Sequence, residues 1–243
     1  MLHEIIKKIV PEYTCKLPST NKKIVFRPLL VKEEKYISQI TELSDTFSEK
    51  LNGLVQLVNS CCDGKIKSEN ISVYDFQILL MEIRKKSISE TAELKIRCPY
   101  TGEPVVMQID FNDQEKIIKE IKKNEELILN DNIKLKFRIP QISDLIETNS
   151  NFENDDDILK ILPLCLLELE SESKTIDLTA ETNENKLELL QSLNREDFAK
   201  IKSILSKGFF SFKFKYQTSD GVDREVVVSD FVNFLKFYLV TLT

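Results

Sequence analysis

The strongest hydrophobic pattern in the chain lies between residues 72 and 111. Phe76, Leu79, Leu80 and Ile83 fall at i, i+3, i+4 and i+7, the signature of one buried helix face. Ser72 stands where a side-chain oxygen can accept from an early helix N–H, and Asp75 follows in the first turn, where the helix dipole favours a carboxylate. After a polar break, two alternating runs, 92–97 and 105–111, flank Cys98-Pro-Tyr-Thr-Gly102. The pattern predicts a helix followed by a β-hairpin whose turn looks like half of a zinc knuckle. A second alternating run, 209–216, puts Phe210, Phe212, Phe214 and Tyr216 on one face and Ser211, Lys213 and Lys215 on the other. Thr218 to Gly221 supplies a turn and 224–228 a return strand. Ser229 and Asp230 then open a closing helix with Phe231, Phe234, Leu235 and Tyr238 at helical spacing. Helix, hairpin and a terminal Asp-Phe pair thus occur at 72–111 and again at 195–231, a faint internal duplication.

The remaining elements are shorter. Residues 1–12 carry Leu2, Ile5, Ile6 and Ile9 on one side of an amphipathic segment that Pro11 ends. Residues 13–17 and 23–27 read as strands joined by the turn residues Pro18-Ser-Thr-Asn21, with Pro28 stopping the second. Helices are predicted over 31–43 and 46–59, the latter leaving through Cys61-Cys62-Asp63-Gly64. Residues 113–123 are ambiguous between helix and strand. Residues 127–129 and 133–139 form another hairpin, Pro140 ends it, and a helix begins at 141–147. The polar stretch 149–157, NSNFENDDD, divides the chain into an N-terminal unit, 1–148, and a C-terminal unit, 158–243. A strongly helical pattern runs from 158 to 169 despite Pro163. A short strand at 175–178 and helices at 180–193 and 195–206 follow. The sum is an α+β chain of several metal-free, knuckle-like hairpins packed with amphipathic helices.

Composition narrows the function. At 243 residues, 42% hydrophobic and 30% charged, this is an ordinary globular chain of one large domain or two small ones. A net charge of -6 argues against a duplex nucleic-acid partner. No apolar run is long enough to span a bilayer, so no membrane partner is expected either. The five cysteines, Cys15, Cys61, Cys62, Cys98 and Cys165, are odd in number and irregularly spaced, and no signal peptide precedes them; free thiols in a reducing compartment are expected.

The residue patterns that carry chemistry are mostly missing from the sequence. His3 is the sole histidine and lies near the terminus, poorly placed to activate a nucleophile. Thr101 stands where the second sulfur of a knuckle belongs, and the matching C-terminal turn, 217–221, has no cysteine, so no metal site is expected. Asp155-Asp-Asp157 and Asp110-Phe-Asn-Asp113 lack the EF-hand alternation and serve better as helix-terminal charges. No phosphate-cradling glycine motif occurs, so no cofactor or small-molecule substrate is implied. The basic clusters Lys22-Lys23, Arg84-Lys85-Lys86 and Lys122-Lys123 each have acids nearby and read as solvated faces. The Phe and Tyr stripe at 210–216 has no basic residues on its own face, so core or interface fits it better than base stacking. No residue stands out as catalytic, cofactor-binding or metal-ligating.

One segment carries a resemblance. LPSTNKKIVFRPLLVKEE at 17–34 resembles the N-terminal signature of a baseplate protein family of T-even-type contractile-tailed bacteriophages. Asp75-Phe76 with Leu79, Leu80 and Ile83-Arg-Lys-Lys-Ser87 is similar to that family's central helix. Leu94-Lys-Ile-Arg-Cys98-Pro99 is similar to its knuckle-like hairpin, and residues 231–238 to its closing helix. Hairpins of that family often carry paired cysteines, and this sequence keeps only Cys98. The resemblance implies a non-enzymatic interaction component of a phage baseplate: a hub subunit or a hub-assembly factor acting with hub, wedge or tape-measure proteins. It would lie in the virion tail, or in the host cytoplasm during assembly. The competing expectation is a tail-associated hydrolase with an unrecognised acid pair, its carboxylates about 5 to 9 Å apart across a cleft.

Overall fold

The computed structural model describes residues 9–43, 46–112, 124–130, 133–152, 154–171, 174–206, 212–228 and 231–240. His3, the segment 113–123 and the cap at Ser229 and Asp230 lie outside them. Among the described residues eight α-helices and ten strands make an α+β fold, with the strands in three two-stranded hairpins and one four-stranded sheet.

The first hairpin is β1 (Tyr13–Lys16) and β2 (Lys23–Phe26). Helices α1 (Val31–Leu43) and α2 (Phe47–Cys61) follow. Thr46 caps α2 in a full capping box with Glu49. A 3-10 turn leads to α3 (Val73–Ser87), the helix predicted from the 76/79/80/83 face. Ser72 accepts from the Asp75 N–H at 3.1 Å, as its position implies. The sequence pattern marks only one stripe of α3, yet nearly every residue from Val73 to Lys85 is buried, so neighbours cover it all round.

Next comes the second hairpin, β3 (Thr91–Arg97) with β4 (Pro104–Asp110). Strands β5 (Asn124–Asn130) and β6 (Ile133–Arg138) lead into α4 (Ile142–Thr148). Helix α5 (Asp155–Cys165) is shorter than its pattern predicts. It stops two residues past Pro163, and Leu166–Ser171 becomes strand β7, followed by β8 (Lys174–Asp177). The correction has a physical cause. Leu-Glu-Leu-Glu at 167–170 also alternates, and β6 offers a free edge on which that alternation is satisfied. Glu168 and Glu170 meet Lys136 and Lys134 across the pair, each at 3.0 Å. The isolated hairpin read at 127–139 is therefore half of a four-stranded sheet, β5-β6-β7-β8. Helices α6 (Asn183–Gln191) and α7 (Arg195–Ser206), the hairpin of β9 (Phe212–Gln217) and β10 (Asp223–Val228), and α8 (Phe231–Val240) complete the chain.

Two apolar cores form. The first gathers α2, α3 and the inner sides of hairpins β1–β2 and β3–β4. It also takes Ile142 and Leu145 of α4, Phe214 and Tyr216 of β9, and Phe231, Phe234, Leu235 and Tyr238 of α8. The second packs the four-stranded sheet against α5, α6 and α7 through Leu135, Phe137, Leu162, Leu190 and Ile201. Helix α5 joins them, with Ile161 and Cys165 in the first core and Ile158 and Leu162 in the second. The first core thus draws on residues from both sides of the polar stretch 149–157. That stretch is spent on bonds that hold the fold: the Asn149 side chain accepts from the Ser48 N–H at 3.0 Å, and Asn154 caps α5. Asp155, Asp156 and Asp157 sit in the first turn of α5, where the helix dipole favours them. No described helix is long and apolar enough to cross a membrane.

Two arginine clamps fix how hairpins hand over to helices. Arg27 forks onto Glu33 at 2.9 and 2.6 Å, and Glu33 also accepts from the Leu30 N–H at 2.6 Å. Arg138 forks onto Asp144 at 2.6 and 2.8 Å, and Asp144 accepts from the Gln141 N–H at 2.7 Å. In both cases an arginine after a strand binds an acid six residues on, in the first turn of the next helix. Glu33 is buried, and although burial raises its pKa, hydrogen bonds from Arg27, Leu30 and Ser60 outweigh that and hold it below the usual range. Arg27→Ala, which strands this carboxylate, should cost about 3 kcal/mol in urea denaturation. Lys134→Ala, at a solvated sheet pair, should cost less than about 1 kcal/mol.

Candidate functional site

The residues of the family-like signature turn out to hold the fold. Ser19, in the turn of the first hairpin, donates its hydroxyl to Asp75 of α3, and its N–H reaches the other carboxylate oxygen at 3.1 Å. Asp75 is buried, and burial raises its pKa above the ordinary carboxylate value despite these bonds. Arg84-Lys85-Lys86 is not the solvated face its charges predict. Arg84 is 2% exposed, donates to the Ser89 carbonyl at 2.5 Å and lies 4.2 Å from the centre of the Phe111 ring. Lys85 is also buried, paired with Glu82 at 2.5 Å and Asn112 at 3.3 Å. A helix covered on all sides forces charges within its span inward, and only the covering strands could reveal that.

The half-knuckle keeps its shape. Gly102, at φ +72, lets the chain turn back so that its N–H reaches the Cys98 carbonyl at 2.9 Å. Burial pushes the Cys98 thiol up. Hydrogen bonds from the Thr101 hydroxyl, the Tyr216 hydroxyl and the backbone N–H groups of Thr101 and Tyr100 outweigh it and bring the thiol from 9.0 down to about 7. Backbone N–H groups converging on one sulfur are what a metal knuckle uses, here without a second sulfur.

The tip of the C-terminal hairpin closes over this turn. Tyr216 donates its hydroxyl to the Cys98 sulfur at 3.5 Å. Glu103 accepts from the Ser219 N–H at 3.0 Å and from its hydroxyl at 2.5 Å. Arg224 lies 5.4 Å from the centre of the Tyr100 ring and is fixed by Asp220 at 2.9 and 2.5 Å and by Thr218 at 2.7 Å. The two turns that the repeat places in equivalent positions therefore meet face to face, a relation that neither segment's pattern shows. A tyrosine hydroxyl and a guanidinium stand opposite Cys98, a donor set that does not fit a metal ion. Among the described residues no group of three or more metal-ligating side chains gathers anywhere.

Two hollows accompany this clasp. One, about 440 Å³, lies between β4 and β9, lined by residues 105–110 and 213–217. The other, about 460 Å³, lies beside the first clamp, with Glu12, Arg27, Lys32, Cys61 and Asp63 on its walls. Burial raises Cys61 to about 11 and Cys62 to about 12, so neither is a thiolate near neutrality. All five cysteines are buried.

The clamps, the buried central helix and the knuckle hairpin all fall inside a single match. The family model of the T4 bacteriophage base plate protein covers residues 10–236. The chain belongs to that family. No curated protein matches it, and no solved structure does. Membership makes it a component of a T4-type phage baseplate and makes other baseplate proteins its neighbours. In this chain the segment 17–34, the central helix and the hairpin at 94–99 supply the buried contacts described above.

The clasp predicts a pH signature. Below about pH 7 the Cys98 thiol is protonated in both folded and unfolded chains; between about 7 and 9 the unfolded chain holds that proton longer, so stability rises with pH. The Tm difference between wild type and Cys98→Ala should widen from about pH 6 to about pH 9 and close again on acidification.

Proposed function

We propose that this baseplate protein is a non-enzymatic interaction component, a hub subunit or hub-assembly factor that works with hub and tape-measure proteins. The observation that carries this reading is where the family-like residues go. Ser19, Arg27, Glu33, Asp75 and Arg84 are all spent on binding segments of the chain to one another. What reaches the surface of the two hairpins includes edge strand and apolar side chains among the charged ones: Tyr100 is 80% exposed, and Val106, Val222 and Val227 are exposed too. Such a surface suits docking between proteins better than turnover of a small substrate. Its place would be the tail baseplate, or the host cytoplasm while the hub is built.

Co-expression with the hub and tape-measure proteins of the encoding phage should yield a stable complex that survives size exclusion. The interaction role falls if no combination forms a complex while hubs assemble normally without this chain. The non-enzymatic part falls if the purified protein hydrolyses cell-wall glycan and loses that activity on Glu12→Gln or Asp63→Asn, the two acids of the second hollow.

A further inference from the structure

The geometry points to the cleft between β4 and β9 as a strand-docking site for an extended, acidic segment of another baseplate protein, an inference that rests on the interaction role proposed above. Each strand is the outer member of a two-stranded hairpin, so each presents an edge without a β-partner among the described residues. The clasp brings the two edges face to face. Glu103, at the start of β4, is bonded to Ser219, just past the end of β9, so the strands run in opposite directions along the two walls. Five residues of β9 line the cleft, a length of about 16 Å at strand rise.

The hydrogen-bond phase of β4 is fixed at both ends. The Cys98 N–H donates to the Glu103 carbonyl and the Phe111 N–H to the Glu90 carbonyl. In an antiparallel ladder this makes Val105, Met107 and Ile109 the residues that exchange bonds with β3. The N–H and C=O groups of Val106, Gln108 and Asp110 therefore point the other way, into the cleft. Backbone groups so placed want the ladder of an added strand, which β9 could continue on the far wall into a five-stranded sheet.

The side chains choose the occupant. Val105, Met107, Ile109, Phe214 and Tyr216 are buried beneath the cleft, whereas Val106, Gln108 and the lone acid Asp110 on one wall and Lys213 and Lys215 on the other stand on its exposed side. Lys213 reaches Glu225 only at 3.8 Å, and Lys215 has no ion pair among the described residues. These two lysines discourage an apolar or basic strand and favour one with carboxylates at alternate positions, so charge sets specificity while the backbone supplies the docking.

A photo-crosslinking amino acid placed at Gln108 tests this, with the same residue at Glu188, exposed on α6, as the control. Each full-length variant is expressed during infection by the encoding phage, baseplate subassemblies are purified, and adducts are mapped by mass spectrometry. An adduct from position 108, but not 188, to a segment of another baseplate protein with alternating acids is expected. Val106→Pro, which removes one cleft-facing N–H, should abolish it in protein whose melting curve stays cooperative. The double change Lys213→Glu and Lys215→Glu should lower its yield about tenfold. Co-purification without an adduct at 108, or an adduct only to a second copy of this chain, overturns the cleft while leaving the interaction role standing. Failure to co-purify with any baseplate protein overturns both.

Discussion

Helix α3 exposes so little of itself that its polar groups are answered by other parts of the chain, the side-chain amide of Gln77 excepted, which finds no partner among the described residues, and those answers fix most of the first core. Asp75 draws in the turn of the first hairpin through Ser19. The start of the helix is tied to α4, where Val73 donates to the Pro140 carbonyl and Ile142 to the Ile71 carbonyl. Ser87, near its end, accepts from the Leu29 N–H and so holds the strand-to-helix connection that contains the first clamp. Arg84 takes the carbonyl of Ser89, which sets the path of the chain into β3, and stacks on Phe111, which closes β4. An unpaired buried charge or amide costs more than a satisfied one contributes, so these partners are mutually obligatory. The helix is the hub of the molecule's own wiring.

That dependence explains what the sequence could and could not disclose. Local period was enough for the three hairpins at 13–27, 91–110 and 212–228 and for most helices, because alternation and the 3.6 spacing are written residue by residue. It failed at Leu166, where a helical and an alternating pattern overlap and the free edge of β6 decided between them. It also failed at Arg84 and Lys85, because charge alone does not report what covers a helix. The clamps have a legible signal in the sequence: Arg, then Pro, then an acid six residues after the Arg, at 27–33 and 138–144. The meeting of the two hairpin tips had none, since Cys98 and Tyr216 are far apart in sequence and nothing local joins them.

The clasp shows how a knuckle can persist without its ion. A metal would tie two turns together by strong bonds to four ligands. Here the same two turns are tied by several weaker contacts of different kinds: thiol to phenol, guanidinium to ring, carboxylate to hydroxyl and N–H. Arg224 raises the affinity of the local field for negative charge, and its own pKa is pushed up by the Asp220 it binds. The geometry that would have favoured a metal thiolate favours instead a sulfur with a lowered pKa under a hydroxyl donor.

Pinning two hairpins by their tips has a mechanical consequence. It fixes the distance and direction between β4 and β9 at one end while each keeps its own partner, β3 or β10, on the outer side. Direct pairing of β4 with β9 would have buried both edges and ended their use. Holding them apart keeps two rows of backbone donors and acceptors solvated, at the cost of strand pairing the chain could otherwise have formed. For a protein whose family builds baseplates, two edges left without a strand partner among the described residues suit the strand-docking role proposed above.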